Sequence, residues 1–325
     1  MIVTKFTEAF GVEHPIVCGG MTGVGRAELI AAVANAGALG FLSALSYPTP
    51  AALDEAIRQT RGLTDRVFGV NLTMLPTINP VPYDEYVQVI ADNKISIVET
   101  AGSNPAPFMP TFKAAGIKVV HKTVAVRHSL TAQRIGVDAL SVDGFECAGH
   151  PGEEDIPSLV LIPAVAAKVD LPIIASGGFA TGSGLAAALA LGADAINMGT
   201  RFVASLEAPV HVNVKNQIVA NTERDTKLVF RKFSNTARVA KNAVSERIIE
   251  IEKQDGTTFA DIAALASGAR GREQVLAQGD VDGGLWWAGQ SQGLITNIAS
   301  CQEIVSTIVA EAEEIIRGRL TSVIA

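Results

Sequence analysis

The sequence predicts a TIM (β/α)8 barrel that carries an additional helical subdomain. Three observations support this fold class: short apolar runs alternate with Ala- and Leu-rich helical stretches, eight such units occupy the first part of the chain, and glycines follow the helix ends. Alternating strands and helices imply parallel pairing through right-handed crossovers, and continuously apolar strands are typical of a sheet covered on both faces. Eight such units can close into a barrel, and an open doubly wound sheet is the competing arrangement.

The repeated unit defines eight predicted strands and the seven helices between them. The predicted strands span residues 14–20, 39–44, 67–73, 95–102, 118–124, 139–145, 172–178 and 195–201. The predicted helices span residues 24–36, 50–61, 82–92, 105–115, 127–136, 157–168 and 181–191. Thr49 followed by Pro50 is typical of a helix start. Glycines follow four of these helices by about one position and predict left-handed C-caps: Gly37, Gly116, Gly136 and Gly192.

The pattern changes after residue 204. Residues 205–297 contain long charged segments and no strand alternation, so they predict a helical lid or substrate subdomain. Residues 298–317 predict a last amphipathic helix, with Gly318 placed to cap its end. We assign residues 1–204 and this last helix to the barrel, and residues 205–297 to the subdomain.

Composition excludes several classes of protein. The 325 residues include 26 Lys and Arg against 33 Asp and Glu, and 48% are hydrophobic, which excludes a disordered chain and disfavours nucleic-acid binding. No apolar run reaches the roughly 18–20 residues of a membrane span, and no secretory signal is evident. Three cysteines and five histidines show no metal-ligand spacing. We expect a cytoplasmic protein that binds small molecules, without metal; its oligomeric state is not readable.

The turns after the seventh and eighth predicted strands indicate a phosphate site. The active site of such a barrel forms at the C-terminal ends of its strands. Gly177 and Gly178 follow one strand, and Gly199 and Thr200 follow the next, so backbone N–H groups lie side by side. The competing interpretation is that these glycines only permit tight turns. A Walker loop and a clean dinucleotide fingerprint are absent, which disfavours a Rossmann domain.

Five residues at other strand ends are candidates for chemistry. His150 lies in a Gly- and Pro-rich loop, where an imidazole can transfer protons, or it is a surface histidine without a role. Lys122 ends an apolar strand and either meets an anion or extends to the rim. Met21 either faces a flat ring or only packs. Asn71 and Thr73 either bind a heterocycle edge or cap the next turn.

Several segments resemble the nitronate monooxygenase family, formerly named 2-nitropropane dioxygenase, whose members are FMN-dependent TIM barrels. They are residues 15–21 (PIVCGGM), 68–73 (FGVNLT), 176–179 (SGGF) and 197–202 (NMGTRF). Residues 143–153 (DGFECAGHPGE) and 235–243 (NTARVAKNA) are similar to the bacterial NADH:quinone reductase branch of that family. The sequence departs from the family at Cys18, where a Gln is usual, and at Ile78, where a polar Gln is usual.

The resemblance implies a set of site residues. Those that would bind FMN are Gly20, Met21, Asn71, Lys122, Asp143, Ala148, Ser176, Gly177, Gly178, Met198, Gly199 and Thr200. Those on the substrate side would be Met21, Thr73, Pro76 and His150. His150 and Lys122 would be the catalytic residues.

The reaction that the resemblance favours is two-electron NADH:quinone reduction, with NADH and the quinone binding alternately. FMN would carry the electrons, Lys122 would stabilise negative charge, and His150 would donate a proton to the quinone or orient it. One alternative is a nitronate monooxygenase that oxidises alkyl nitronates or nitroalkanes with O₂, with His150 as base. Further alternatives are an FMN-dependent enoyl-thioester reductase and a non-enzymatic FMN-binding protein.

Overall fold

Eight parallel strands close into a barrel in the computed structural model, which describes residues 1–74 and 80–324. The strands are β1 Ile16–Cys18, β2 Leu39–Ser43, β3 Gly69–Met74, β4 Ile97–Gly102, β5 Lys118–Thr123, β6 Ala139–Asp143, β7 Ile173–Ser176 and β8 Ala195–Asn197. Strand β1 closes the ring, because Val17 pairs with Leu39 on one side and with Asn197 on the other. The predicted TIM barrel is confirmed, and the open-sheet alternative is wrong.

The predicted helices surround this barrel. After the N-terminal helix α1 Lys5–Phe10 come α2 Ala27–Asn35, α3 Pro50–Leu63, α4 Tyr83–Asp92, α5 Met109–Ala114, α6 Val126–Ile135, α7 Ser158–Ala166 and α8 Gly182–Ala190. The hydroxyl of Thr49 accepts the N–H of Ala52, as expected of a cap. The four predicted C-cap glycines all have φ between 69° and 94°. In the described part of the chain, each helix is too short or too polar to cross a membrane.

Helix α1, which the sequence pattern did not predict, closes the N-terminal end of the barrel. Phe6 and Phe10 lie almost fully buried against the inward-facing side chains of the strands, among them Phe41, Ile97 and Val120. These apolar side chains fill the interior at that end. The polar strand ends therefore gather at the opposite, C-terminal end.

Residues 205–297 contain a small antiparallel sheet, so the expectation of helices alone is wrong. Strands β9 Thr226–Val229 and β10 Ala237–Ala240 pair, with Val229 opposite Ala237. The helical elements around them are α9 Thr200–Val203, α10 Val212–Ala220, α11 Ala243–Glu252, α12 Ala263–Ala266, α13 Gly268–Arg270 and the π-helical turn Gly271–Ala277. The hairpin has a small apolar core of its own, which includes Val239, Ile248 and Ile262.

The last long helix packs on the barrel wall. Helix α14 Cys301–Glu314 contacts α8 and α2, and its N-terminus is capped by Ser300. The expected cap at Gly318 is wrong, because the chain continues through a π-helical turn at Ile315–Arg319 into α15 Leu320–Ser322. A left-handed cap needs a positive φ, and Gly318 does not have one. The division of the chain into a barrel and a subdomain stays a prediction.

Candidate functional site

A cleft of about 800 Å³ opens at the C-terminal ends of the barrel strands. It brings together most of the residues selected from the sequence: Gly20, Met21, Asn71, Thr73, Lys122, Asp143, Ala148, His150, Ser176, Gly177, Gly178, Gly199 and Thr200. It does not include the side chain of Met198, which is 1% exposed in the apolar core. Pro76 and Ile78 lie outside the described residues. The described residues contain no group of three or more metal-ligating side chains.

Lys122 lies between two carboxylates at the base of the cleft. Its Nζ is 3.5 Å from Oε1 of Glu99 and 3.8 Å from Oδ1 of Asp143. Burial by itself would lower the pKa of this ammonium, but the charges of Asp143 and Glu99 outweigh burial and raise the pKa above its usual range. Lys122 is therefore an ion-paired cation that faces the cleft.

Glu99 also fixes the polar groups beside it. Its Oε2 accepts the N–H of Gly20 at 2.8 Å and the side-chain amide of Asn71 at 2.7 Å. The hydroxyl of Thr73 donates to Oδ1 of Asn71 at 2.9 Å, so both ends of that amide are oriented. A Cβ on Gly20 would lie 2.1 Å from Cγ of Asn71, which leaves room only for glycine.

The turns after β7 and β8 present unused backbone donors to the cleft. Within the described chain, the N–H groups of Gly178 and Gly199 donate no hydrogen bond, although both residues line the cleft. A Cβ on Gly177 would lie 2.8 Å from O of Gly144, so the fold itself requires that glycine. Gly199 has a φ of −94° and no contact that close, so neither backbone strain nor crowding requires a glycine there. Unpaired N–H groups that line a cleft can donate to a bound anion.

Two further side chains that were selected from the sequence, Thr200 and Ser176, hold the strand ends in place. The hydroxyl of Thr200 accepts the N–H of Gly289 at 3.0 Å, which joins the end of β8 to the segment that covers the cleft. Oγ of Ser176 accepts the side-chain amide of Asn197 at 3.3 Å. The Oδ1 of Asn197 in turn accepts the N–H of Gly19 at 2.9 Å. These contacts link the ends of β1, β7 and β8.

His150 follows β6 and forms one wall of the cleft with Trp287. The two ring centroids are 5.8 Å apart, and the ring planes are tilted by 48°. Burial lowers the pKa of His150, and the charge of Glu153 offsets this only in part. The imidazole is therefore mainly neutral at pH 7 and is able to accept a proton.

Residues at the site that were not selected from the sequence include Glu99, which pairs with Lys122, and the cleft-lining residues Asn197, Arg272 and Trp287. Glu99 has a signal that could have revealed it, because it is a lone charge in an apolar strand. Since Glu99 pairs with Val120, Lys122 lies two residues further on the same face. Trp287 and Arg272 reach the cleft from a segment far along the chain, so local patterns could not place them.

The chain matches one protein family over nearly its whole length. The profile of that family, nitronate monooxygenase, matches residues 4–80 and 73–311. The protein belongs to the nitronate monooxygenase family. The resemblance stated from the sequence motifs is thereby confirmed at the level of the family, whereas the NADH:quinone reductase branch stays a prediction.

Relatives of this nitronate monooxygenase family member include a dehydrogenase and an oxidase. The (3aS,4S,5R,7aS)-5-hydroxy-7a-methyl-1-oxo-octahydro-1H-indene-4-carboxyl-CoA dehydrogenase of Rhodococcus jostii (strain RHA1) is 31% identical, over 95% of each chain. The structure of FabK from Thermotoga maritima is 34% identical, with a TM-score of 0.92 over all of both chains. That of nitroalkane oxidase from Streptomyces ansochromogenes is 28% identical, with a TM-score of 0.82 over 97% of this chain and 99% of that one. The family member is an oxidoreductase, which removes the non-enzymatic alternative.

Proposed function

We propose that this oxidoreductase binds FMN in the cleft and transfers two electrons from NADH to a quinone, with the two substrates occupying the same place in turn. One observation carries the proposal: the cleft combines unused N–H donors for an anion at Gly178 and Gly199 with two aromatic rings, those of His150 and Trp287, on one wall. An anchored planar cofactor and a planar substrate together require such a combination.

The residues of the cleft fit FMN. The N–H groups of Gly178 and Gly199 suit its phosphate, because neither residue has a side chain of its own to cover the donor. The ammonium of Lys122 and the amide of Asn71 suit the polar edge of its ring system. When bound, FMN supplies hydride and electron transfer, which no amino-acid side chain provides.

The chain's own residues supply charge and a proton. Reduction of a quinone by NADH consumes one hydride and one additional proton, and His150 is a group in the cleft that can deliver this proton to a quinone oxygen. Lys122 presents an ammonium donor at the base of the cleft, where it can hydrogen-bond a bound group.

Anaerobic titration tests this proposal. The purified protein should contain FMN, lose its yellow colour with NADH, and recover that colour when benzoquinone is added. NADPH in a parallel titration measures the preference between the two nicotinamide nucleotides. If neither nucleotide bleaches the FMN, the proposed reaction is wrong.

Nitronate oxidation is a second candidate, which family membership and the similarity to the Streptomyces nitroalkane oxidase favour. In that reaction His150 would act as a base and remove the α-proton of a neutral nitroalkane. Rapid oxygen uptake with propyl nitronate, in the absence of any nicotinamide nucleotide, would support this function over quinone reduction.

A third candidate acts on an acyl thioester, and the similarity to the Rhodococcus CoA dehydrogenase favours it. Arg272 at the cleft is a cation that suits a phosphorylated carrier such as coenzyme A. NADH oxidation that depends on an enoyl-CoA, measured with crotonyl-CoA, would identify it.

A further inference from the structure

Arg238 on β10 contacts the chain at both ends of the segment that leads to His150. Its guanidinium donates to O of Phe145 through Nε at 3.2 Å and Nη2 at 2.9 Å. Its backbone exchanges two hydrogen bonds with Gly149, of 3.0 Å and 2.6 Å. One residue thus fixes the chain at Phe145 and again directly before the imidazole.

Arg238 is a cation in a place where the fold alone does not need one. Arg238 is only 3% exposed, and within the described residues its guanidinium forms no ion pair with a carboxylate, since the nearby Asp155 pairs with Arg231 instead. The guanidinium carbon lies 4.6 Å from the ring centroid of Phe145, which compensates part of the cost of burial. A buried, unpaired charge is unfavourable, and an apolar side chain of similar size would fill the space at lower cost. An apolar side chain could not replace the two N–H donors that Arg238 directs at O of Phe145.

The hairpin that carries Arg238 also holds the loop beyond His150. The N–H and the hydroxyl of Thr236 donate to Glu153, the N–H at 2.7 Å. Asp155 pairs with Arg231 at 2.6 and 2.8 Å. Both flanks of His150 are therefore attached to the β9–β10 hairpin.

Hydrogen bonds within the loop do not reach His150: in the described chain Cys147 donates to O of Gly144 and Phe145 to O of Ile156, but the backbone of His150 forms no such bond. Gly149 and Gly152 bracket the histidine, and both have a φ of 83°. Glycine adds backbone freedom in the absence of external contacts. Contacts from outside the loop must therefore determine where the imidazole lies.

We propose that Arg238 is a positioning residue that holds His150 where it exchanges a proton with the substrate. The β9–β10 hairpin therefore has a role in proton transfer, because it positions His150. The inference rests on the proposed function for the proton transfer, whereas the positioning itself rests on the contacts of Arg238.

Variants of Arg238 test the inference against a matched control. Lys215 is also a nearly buried cation, at 7% exposure, and donates to a backbone carbonyl, that of Leu206, at 3.0 Å. It does not line the cleft. Arg238→Met and Lys215→Met therefore remove equivalent chemistry, but only the first acts on the loop of His150. Arg238→Lys keeps the charge, and Thr226→Val removes only the hydroxyl that accepts from Nη1 of Arg238.

The first readout is proton NMR titration of the His150 imidazole, which needs neither substrate nor turnover. The resonance is identified by its loss in His150→Gln. In Arg238→Met we expect the burial-lowered pKa of His150 to move toward its ordinary value, with smaller movements in Arg238→Lys and Thr226→Val. Lys215→Met should leave it in place. An unchanged titration in Arg238→Met, or an equal shift in Lys215→Met, overturns the inference.

The second readout is turnover of NADH and benzoquinone. Arg238→Met should lower kcat at least tenfold and change the KM for NADH less than twofold, with partial recovery in Arg238→Lys. Circular dichroism establishes that each variant is folded. If Arg238→Met does not fold, Thr226→Val takes its place in the test. A wild-type protein without this turnover contradicts the proposed function, and the NMR titration then decides on the positioning separately.

Discussion

The ammonium of Lys122 lies 3.5 Å from Oε1 of Glu99, a residue with no solvent exposure. Among the described residues, Oε1 of Glu99 accepts no hydrogen bond, whereas Oε2 accepts two. Oδ1 of Asp143 also lacks a hydrogen bond in the described chain and lies 3.8 Å from the same ammonium. Lys122 is therefore the principal compensation for the buried charge of Glu99 and the partly buried charge of Asp143, and its removal leaves both without a cation.

Lys122→Met should destabilise the FMN-free protein by about 3–5 kcal/mol, the usual cost of breaking a buried ion pair. Adding Glu99→Gln to that variant should restore part of the loss, because the neutral amide no longer needs a cation. Urea unfolding measures the free energy of unfolding of each protein. Lys168→Met on the exposed surface is the control and should change it by less than about 0.5 kcal/mol. Equal stability of Lys122→Met and the wild type would contradict this account.

His121 should make the protein less stable in mild acid. It is 7% exposed, its Nδ1 lies 2.8 Å from the hydroxyl of Thr100, and burial lowers its pKa to about 4. The unfolded chain binds this proton from about pH 6.5 downward, and the folded chain does not until about pH 4. The free energy of unfolding therefore falls as the pH drops through this window, by roughly 3 kcal/mol in full.

Urea unfolding at pH 7.5 and 4.5 checks this expectation. His121→Gln should lose the acid-dependent part, so the difference between the two pH values becomes smaller than in the wild type. His128→Gln on α6 is the comparison: burial also lowers the pKa of this histidine, but by less than that of His121, so the variant should keep most of the wild-type difference. If His121→Gln keeps the full difference, other groups carry the acid sensitivity.

The barrel was predictable because its signals are local. Each strand is a short apolar run, and each helix end has its own mark, such as the left-handed Gly37 and Gly136. The topology of parallel strands then brought Asn71 and Lys122 to one end without further information. The predicted strands extend too far at their C-terminal ends, because Gly177 and Gly178 leave the sheet with φ near 90°.

The hairpin and half of the site were not predictable for the opposite reason. Strands β9 and β10 have four residues each, and Lys227 and Arg238 interrupt their apolar pattern. Their stability comes from packing on α11 and α12, which is a property of the folded chain. Trp287 and Arg238 contact the loop of His150 across long sequence separations. Local sequence patterns do not indicate such contacts.

Gly199→Val should weaken FMN binding without weakening the fold. The φ of −94° at Gly199 is open to any residue, and the nearest atom to an added Cβ is Sδ of Met21 at 3.4 Å. The new side chain would cover the free N–H, so we expect the dissociation constant of FMN to rise at least tenfold. Fluorescence quenching of FMN measures this constant, and thermal unfolding without FMN should change little.

Gly62→Ala is the matched control for that experiment. Gly62 lies in α3 with nothing within 4 Å of an added Cβ, so the variant should gain up to about 1 kcal/mol of stability. Its affinity for FMN should equal that of the wild type. Unchanged affinity in Gly199→Val would place the phosphate elsewhere in the cleft.

Arg272→Met should raise the KM for NADH about tenfold and leave kcat within a factor of two. Arg272 lines the cleft on the π-helical turn, and its guanidinium forms no hydrogen bond or ion pair with any residue in the described ranges. A free guanidinium suits the pyrophosphate of a dinucleotide. Steady-state kinetics at two salt concentrations check this, because added salt should reduce the difference. Arg58→Met on α3 is the control, and an equal KM in both variants contradicts the assignment.

The direction of the pH profile should identify the reaction in which His150 takes part. As a donor to a quinone it must be protonated, so kcat should rise as the pH falls toward its burial-lowered pKa. As a base toward a nitroalkane it must be neutral, so kcat should fall through the same pH range. His150→Gln should lower the rate by about 10²–10⁴ for either substrate and remove the pH dependence in that range. Turnover of a preformed nitronate should survive the substitution, since its α-proton is already gone. A His150→Gln protein with the wild-type rate and profile would show that another group moves the proton.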